Sequence, residues 1–149
     1  MMNLLFLRDV KAEDMDLLFQ WANEPLVRQN SFHTAPISYD SHVVWFQKMM
    51  KSKNVLQYIL MDSDIPIGQI RLTVQDGIAE IGYSIASEYR GQGYGRQLLQ
   101  LAMEKIKTEH PEIRKLTASV KPDNIASNLL FCHEGYVLDY HHYSLDLSV

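Results

Sequence analysis

Residues Ser87 to Arg96 read Ser-Glu-Tyr-Arg-Gly-Gln-Gly-Tyr-Gly-Arg, with glycines at alternate positions, Gly91, Gly93 and Gly95. An apolar stretch, Ile81–Ala86, precedes them, and a helical run, Leu98-Leu99-Gln100-Leu101-Ala102-Met103, follows. A strand, a glycine loop and a helix start in that order make an anion site. Main-chain N–H groups at a helix N-terminus have no intrahelical partner, and the aligned peptide dipoles favour negative charge there. Glycine lets the chain turn back and approach the anion with no side chain in the way. A phosphate or pyrophosphate suits this chemistry. Spacing excludes two phosphate loops. A P-loop needs Gly-Lys followed by Ser or Thr, whereas Gly95 is followed by Arg96 and Gln97. The dinucleotide fingerprint needs a different glycine spacing after a first strand, and this loop lies past the middle of the chain.

The rest of the chain must position that loop and supply local positive charge. The net charge is −4, which argues against a general nucleic-acid binder and leaves Arg71, Arg90, Arg96 and Lys121 as candidate cations for an anionic ligand. At 149 residues the chain is expected to form one domain, 1–149, large enough for a real core. No apolar run approaches the roughly 18 residues of a membrane span. The start, Met1-Met2-Asn3-Leu4-Leu5-Phe6-Leu7-Arg8, is too short for a signal peptide. A single cysteine, Cys132, excludes an internal disulfide and a cysteine-rich zinc site, and suits a reducing cytoplasm.

Hydrophobic periodicity and turn chemistry give the elements. Leu4–Arg8 reads as a strand, and Ala12 to Asn23 as a helix with Met15, Leu18 and Ala22 on one face, ended by Pro25. Ser38 caps a second helix, in which His42, Trp45, Phe46 and Met49 fall at i, i+3, i+4 and i+7. Leu56–Met61, Gln69–Val74 and Ile78–Ile85 read as an antiparallel meander, separated by Asp62-Ser63-Asp64 and Gln75-Asp76-Gly77. A helix from about Tyr94 to Glu109, a strand Leu116–Val120 and a helix Asn124–Glu134 follow. Tyr136–Leu147 is expected to supply one or two last strands.

Arg90, Gly93 and Gly95 satisfy Arg/Gln-x-x-Gly-x-Gly/Ala, which resembles the acetyl-CoA pyrophosphate loop of the GNAT superfamily of N-acetyltransferases. Asn124 and Ser127, followed by Leu130, Phe131 and Gly135-Tyr136, resemble that family's Asn-x-x-Ser/Ala…Leu-Tyr…Gly-Phe segment. The element order β-α-α-β-β-β-α-β-α-β-β matches over essentially the whole chain. The resemblance implies an α/β (α+β) fold: a mixed, mostly antiparallel sheet with helices on both faces and one splayed strand pair. It implies acetyl-CoA as co-substrate and no metal. Cofactor contacts are expected at Ile85, Arg90, Gly91, Gln92, Gly93, Tyr94, Gly95, Arg96, Asn124 and Ser127. The pantetheine arm would pair with the Tyr83–Ala86 edge, whose main-chain donors can also support the oxyanion. Glu80 is the first candidate base and His42 the second. The family's usual tyrosine acid is Phe131 here. That leaves Tyr136, Tyr140, Tyr143, His133, Ser127 or a water as the proton donor, or a thiolate that leaves unprotonated.

The acceptor side is expected on the first helices. Trp21-Ala22-Asn23-Glu24-Pro25-Leu26-Val27-Arg28, then Ile37, His42 and Trp45-Phe46, resembles enzymes that N-acetylate UDP-linked 4-amino-4,6-dideoxy sugars on the route to pseudaminic acid. That resemblance implies a small-molecule acceptor, and the residue chemistry suits it, with Arg28 meeting a diphosphate, Trp45, Phe46 or Tyr39 stacking on a ring, and His42 and Tyr83 nearby. Related patterns occur in enzymes that acetylate ribosomal-protein N-termini. A catalytically weak CoA-binding module, and a homodimer, also stay open.

Overall fold

The computed structural model describes residues 4–148. Strand β1 (Leu5–Asp9) leads through a 3-10 turn at Ala12–Asp14 into helices α1 (Met15–Ala22), α2 (Pro25–Asn30) and α3 (Tyr39–Lys51). Strands β2 (Val55–Asp62), β3 (Ile65–Gln75) and β4 (Ile78–Ile85) follow, then α4 (Tyr94–Glu109), β5 (Lys115–Ala118) and α5 (Ile125–His133). The strands form one sheet in the order β1-β2-β3-β4-β5, antiparallel except for the β4–β5 pair, which is parallel.

Side chains alternate across each strand, so the sheet has two faces with different partners. Tyr58, Leu60, Ile70, Leu72, Ala79 and Ile81 pack against Leu98, Leu99, Ala102 and Ile106 of α4. Ile59 and Met61 face the other way and meet Leu18, Phe46 and Met49 of α1 and α3. The spacing of α3 therefore buries the residues expected, except that Trp45 is only half-buried and reaches a cavity.

Three expectations are corrected. Pro25 opens a helix rather than only ending one. Proline lacks the N–H that a first helical position would leave unpaired, and the Glu24 carboxylate caps this helix by accepting from the Val27 N–H at 3.1 Å. The first predicted helix is split, with residues 12–14 in a 3-10 turn. Tyr136–Leu147 forms no strand. Alternation holds only within two short runs, Tyr136/Leu138/Tyr140 and Tyr143/Leu145/Leu147, the register slips at His141–His142, and no Gly, Pro or Asn there turns a hairpin.

Arg8 of β1 grips the 3-10 turn. Its Nη1 and Nη2 donate to Asp14 Oδ2 and Oδ1 at 2.7 and 2.9 Å, while the Lys11 N–H donates to the same carboxylate at 2.7 Å. Burial pushes the Asp14 carboxyl up, but Arg8 and the Lys11 N–H together hold it below the usual range. A carboxyl whose folded pKa is depressed stabilises the fold above its unfolded pKa and loses that contribution as pH falls through the folded value. Asp14→Asn should therefore cost about 1.5–3 kcal/mol at pH 7. In denaturant titrations, the gap to the unmodified protein should close as pH falls below about 4.

Candidate active site

Parallel pairing of β4 with β5 runs only from Ile78–Lys115 to Ile81–Ala118 and then stops. Gly82–Ile85 stay paired with β3 alone, so a wedge opens between them and Ser119–Val120. A cavity of about 950 Å³ passes through this wedge, from the glycine loop on one side to α1–α3 on the other. At the glycine-loop end, Gly91 and Gly93 hold φ of 74° and 85°, values L-residues rarely adopt, and a Cβ at either would point into open space. Gly95 differs, because a Cβ there would come within 3.1 Å of Leu130 Cδ2.

The first N–H of α4 to find a main-chain acceptor is that of Gln97, on the Gly93 carbonyl at 3.3 Å. Among the described residues, no N–H from Gly91 to Arg96 has a partner, which leaves a row of donors ahead of a 16-residue helix. Row, wedge and cavity together fit a pyrophosphate followed by an extended, amide-bearing arm.

The two faces of β4 carry different chemistry. Glu80, Gly82 and Ser84 lie on the face toward α1–α3, whereas Tyr83 points toward α5. On the first face a polar ladder crosses three strands: Gln57 Nε2 donates to Gln69 Oε1 at 2.9 Å, and Gln69 Nε2 to Ser84 Oγ at 3.2 Å. Arg71 lies beside it, its guanidinium carbon 5.2 Å from the Trp45 ring centroid. Burial pushes the Arg71 pKa down and the Glu80 charge pushes it up. Glu80 itself is exposed at the cavity's edge. On the other face, the Tyr83 hydroxyl lies 2.7 Å from Ser127 Oγ, and its ring packs edge-on against Phe131 at 5.8 Å. Burial pushes the Tyr83 pKa up, with the Ser127 hydrogen bond opposing.

The expected cofactor residues gather at the wedge, but with uneven roles. Ile85, Gly91, Gly93, Tyr94, Gly95, Arg96, Asn124 and Ser127 line the cavity. Asn124 caps α5 by accepting from the Ser127 N–H at 3.2 Å. The Arg90 guanidinium donates to Glu24 Oε2 at 2.7 Å and to the Ile85 carbonyl at 3.1 Å, so it braces the acceptor helices against the loop. That ion pair, together with the Val27 N–H, holds the Glu24 carboxyl below its usual range. The Gln92 side chain turns back to the Glu88 carbonyl. Lys121 donates to the Gln29 carbonyl at 3.0 Å and does not line the cavity.

The acceptor-side candidates are rearranged. Arg28 is consumed by its own loop: Nε donates to the Ala22 carbonyl at 2.6 Å, Nη1 to the His33 carbonyl at 2.8 Å, and Nη2 to Ser31 Oγ at 3.1 Å. His42 is 3 % exposed, and its Nε2 donates to the Met15 carbonyl at 2.8 Å. That bond ties α3 to α1. Tyr136 lies behind Phe131, ring centroids 5.0 Å apart, and does not line the cavity; nor do Tyr140, Tyr143 or His133. The pairs sequence reasoning missed are Tyr83 with Ser127, Glu24 with Arg90, and Asn23 with Ile37, whose main chain both donates to and accepts from the Asn23 amide. No spacing rule reports them, because their members lie up to 66 residues apart.

The chain belongs to the GNAT acetyltransferase family: the acetyltransferase (GNAT) domain matches residues 5–137. It is thus an N-acetyltransferase domain with acetyl-CoA as co-substrate. It is 27% identical over 150 residues to the N-acetyltransferase p20 of Bacillus licheniformis, covering 91% of this chain and 83% of p20. The match to YfmK of Bacillus subtilis, also described as an N-acetyltransferase, is 26% over 95 residues and spans 64% of this chain and 63% of YfmK. The spermidine N-acetyltransferase of Vibrio cholerae, solved with CoA and spermine, shares the fold at a TM-score of 0.84 and 22% identity, over 92% of this chain and 83% of that one. The aminoglycoside acetyltransferase AAC(6')-Ib, solved with coenzyme A, shares it at 0.76 and 18%, over 89% and 83%.

If the N–H row holds the pyrophosphate, Gly93→Val should remove CoA binding. Valine at a φ of 85° costs about 1–2 kcal/mol of stability and fills the space before the donors. Losing two charge-assisted contacts at about 1.5 kcal/mol each weakens binding by more than about a hundredfold. Calorimetric titration with CoA measures this, and a thermal melt reports the smaller stability loss. Full CoA affinity in the variant would contradict the site.

Proposed function

We propose that the acceptor is the primary amine of a nucleotide-linked amino-deoxy sugar, entering from the α1–α3 face while acetyl-CoA enters from the glycine loop. The observation that carries this reading is the cavity's continuation past the wedge to Trp45 and Phe32, which leaves room for a large acceptor with a flat ring. The spaced residues of α1–α3 that resemble amino-sugar acetyltransferases lie along that half. Glycan biosynthesis in a bacterial cytoplasm follows from the same resemblance.

When bound, acetyl-CoA supplies an acetyl group on a good leaving group, the thiol. Glu80, on the acceptor face of β4, takes a proton from the incoming ammonium, directly or through water, and passes it to solvent. Main-chain N–H groups of the splayed Gly82–Ile85 edge donate to the developing oxyanion. As the C–S bond breaks, the Tyr83 hydroxyl gives its proton to the departing sulfur and is resupplied through Ser127 Oγ. Base and acid thus work on opposite sides of one strand, which keeps the amine and the thiol apart until they meet in the wedge. Much of the rate gain comes from holding the two substrates in register.

Incubation with acetyl-CoA and a panel of UDP-linked amino sugars, ribosomal-protein peptides and polyamines, with free thiol detected, tests the acceptor. Turnover on the peptide with none on any UDP-linked amino sugar would end the sugar reading. Glu80→Gln should lower kcat by about a hundredfold or more while leaving CoA affinity unchanged. Unchanged turnover would move the base to His42 Nδ1. Tyr83→Phe should lower kcat with the acceptor KM little altered, and equal turnover would pass the role to Ser127 or a water, or mean that the thiolate leaves unprotonated.

A further inference from the structure

Four arginines line the cavity: Arg28, Arg71, Arg90 and Arg96. Three are occupied. Arg28 holds loop carbonyls, Arg90 pairs with Glu24, and Arg96 Nε lies 3.2 Å from Glu134 Oε2. Arg71 is different. Among the described residues no carboxylate lies within 4.0 Å of it and no acceptor takes its N–H groups, although its guanidinium is largely withdrawn from solvent over Trp45. Glu80 acts on it only through its field, without a direct contact. A desolvated guanidinium with no anion bound to it is costly, and its planar fork matches carboxylate or phosphate oxygens.

A second group is left open beside it. Gln57 is the direct cross-strand partner of Arg71, is 8 % exposed, and lines the same cavity. Its Nε2 is used in the ladder, and its Oε1 is the one buried side-chain polar atom without a partner among the described residues. On the other side, Arg71 pairs across β3–β4 with Gly82, the first residue beyond the last β4–β5 rung, and Arg71 Nη2 lies 3.8 Å from where a Gly82 Cβ would stand. The unpaired cation therefore sits where the acceptor meets the reacting edge. Glu80 is the only carboxylate lining the cavity among the described residues, so a polycation has no second charge to bind.

We infer that Arg71, backed by Trp45 and flanked by the free end of Gln57, is an anion subsite that selects amine acceptors carrying an oxyanion, a carboxylate or a phosphate, close to the amine. This rests on the acetyltransferase reading of the cavity and, in its phosphate form, deepens the nucleotide-sugar proposal: the diphosphate expected on Arg28 falls to Arg71. Gln57 Oε1 would accept from a hydroxyl or ammonium of the same acceptor.

Calorimetric titration of the CoA-saturated full chain needs no turnover. The probes are two matched pairs, UDP against uridine and L-alanine against L-alaninamide, with spermidine as the polycation. At least one anionic member should bind about tenfold or more tightly than its neutralised partner. Arg71→Met should erase that preference, Arg71→Lys should restore part of it, and CoA affinity should not change in either. Equal binding within both pairs, tightest binding of spermidine, or a preference that survives in Arg71→Met would overturn the subsite. Because the first two readouts use the unmodified protein, they decide even if Arg71→Met is poorly folded. Discrimination in the alanine pair but not in the uridine pair would keep the subsite and discard the nucleotide sugar.

Discussion

The early end of the β4–β5 pairing is the constraint on which the site depends. Parallel strands need a crossover, and here the crossover is the glycine loop plus α4, lying on one face of the sheet. Four rungs hold the strands together at the α4 C-terminal end; beyond Ile81 they part. Main-chain groups of Gly82–Ile85 that a longer strand would have used remain free for a ligand. The same crossover places the N-terminus of α4 at the mouth of the wedge, so the anion site and the open edge arise from one topological feature.

Alternation along β4 then divides the labour. Side chains at even positions face α1–α3 and those at odd positions face α4 and α5. Two substrates can therefore approach one strand from opposite sides, with Glu80 on one face and Tyr83 on the other. The acceptor wall is not free-standing: the Glu24–Arg90 ion pair and the Lys121–Gln29 hydrogen bond tie the α2 region to the loops that flank the cofactor. An arginine expected to touch phosphate thus fixes the distance between the two halves.

Much of the fold was legible because its signals are local. The Ser38 cap, the i, i+3, i+4, i+7 pattern of α3, the turn at Asp76-Gly77 and the glycine loop each need only a short window of sequence. The lining of the cavity was legible as far as the glycine loop and Glu80. It was less so for the charged and polar side chains, since Arg28 and Arg71 look alike in sequence. Only the folded chain shows that one spends its guanidinium on the carbonyls of its own loop while the other lies over Trp45 with its N–H groups open to the cavity. Phe131 raised the question of the acid, and the pair proposed to answer it, Tyr83 with Ser127, spans 44 residues. The expected last strands do not form, since the two alternating runs within Tyr136–Leu147 are out of register with each other and no turn residue joins them.

Amide hydrogen exchange with and without CoA tests the central claim most directly, because it reads the main-chain donors themselves. The account predicts that CoA slows exchange in two separate stretches, Gly91–Arg96 and Gly82–Ile85, while the β1–β2 edge is unaffected. Slowed exchange confined to other segments, with both of these unchanged, would contradict it.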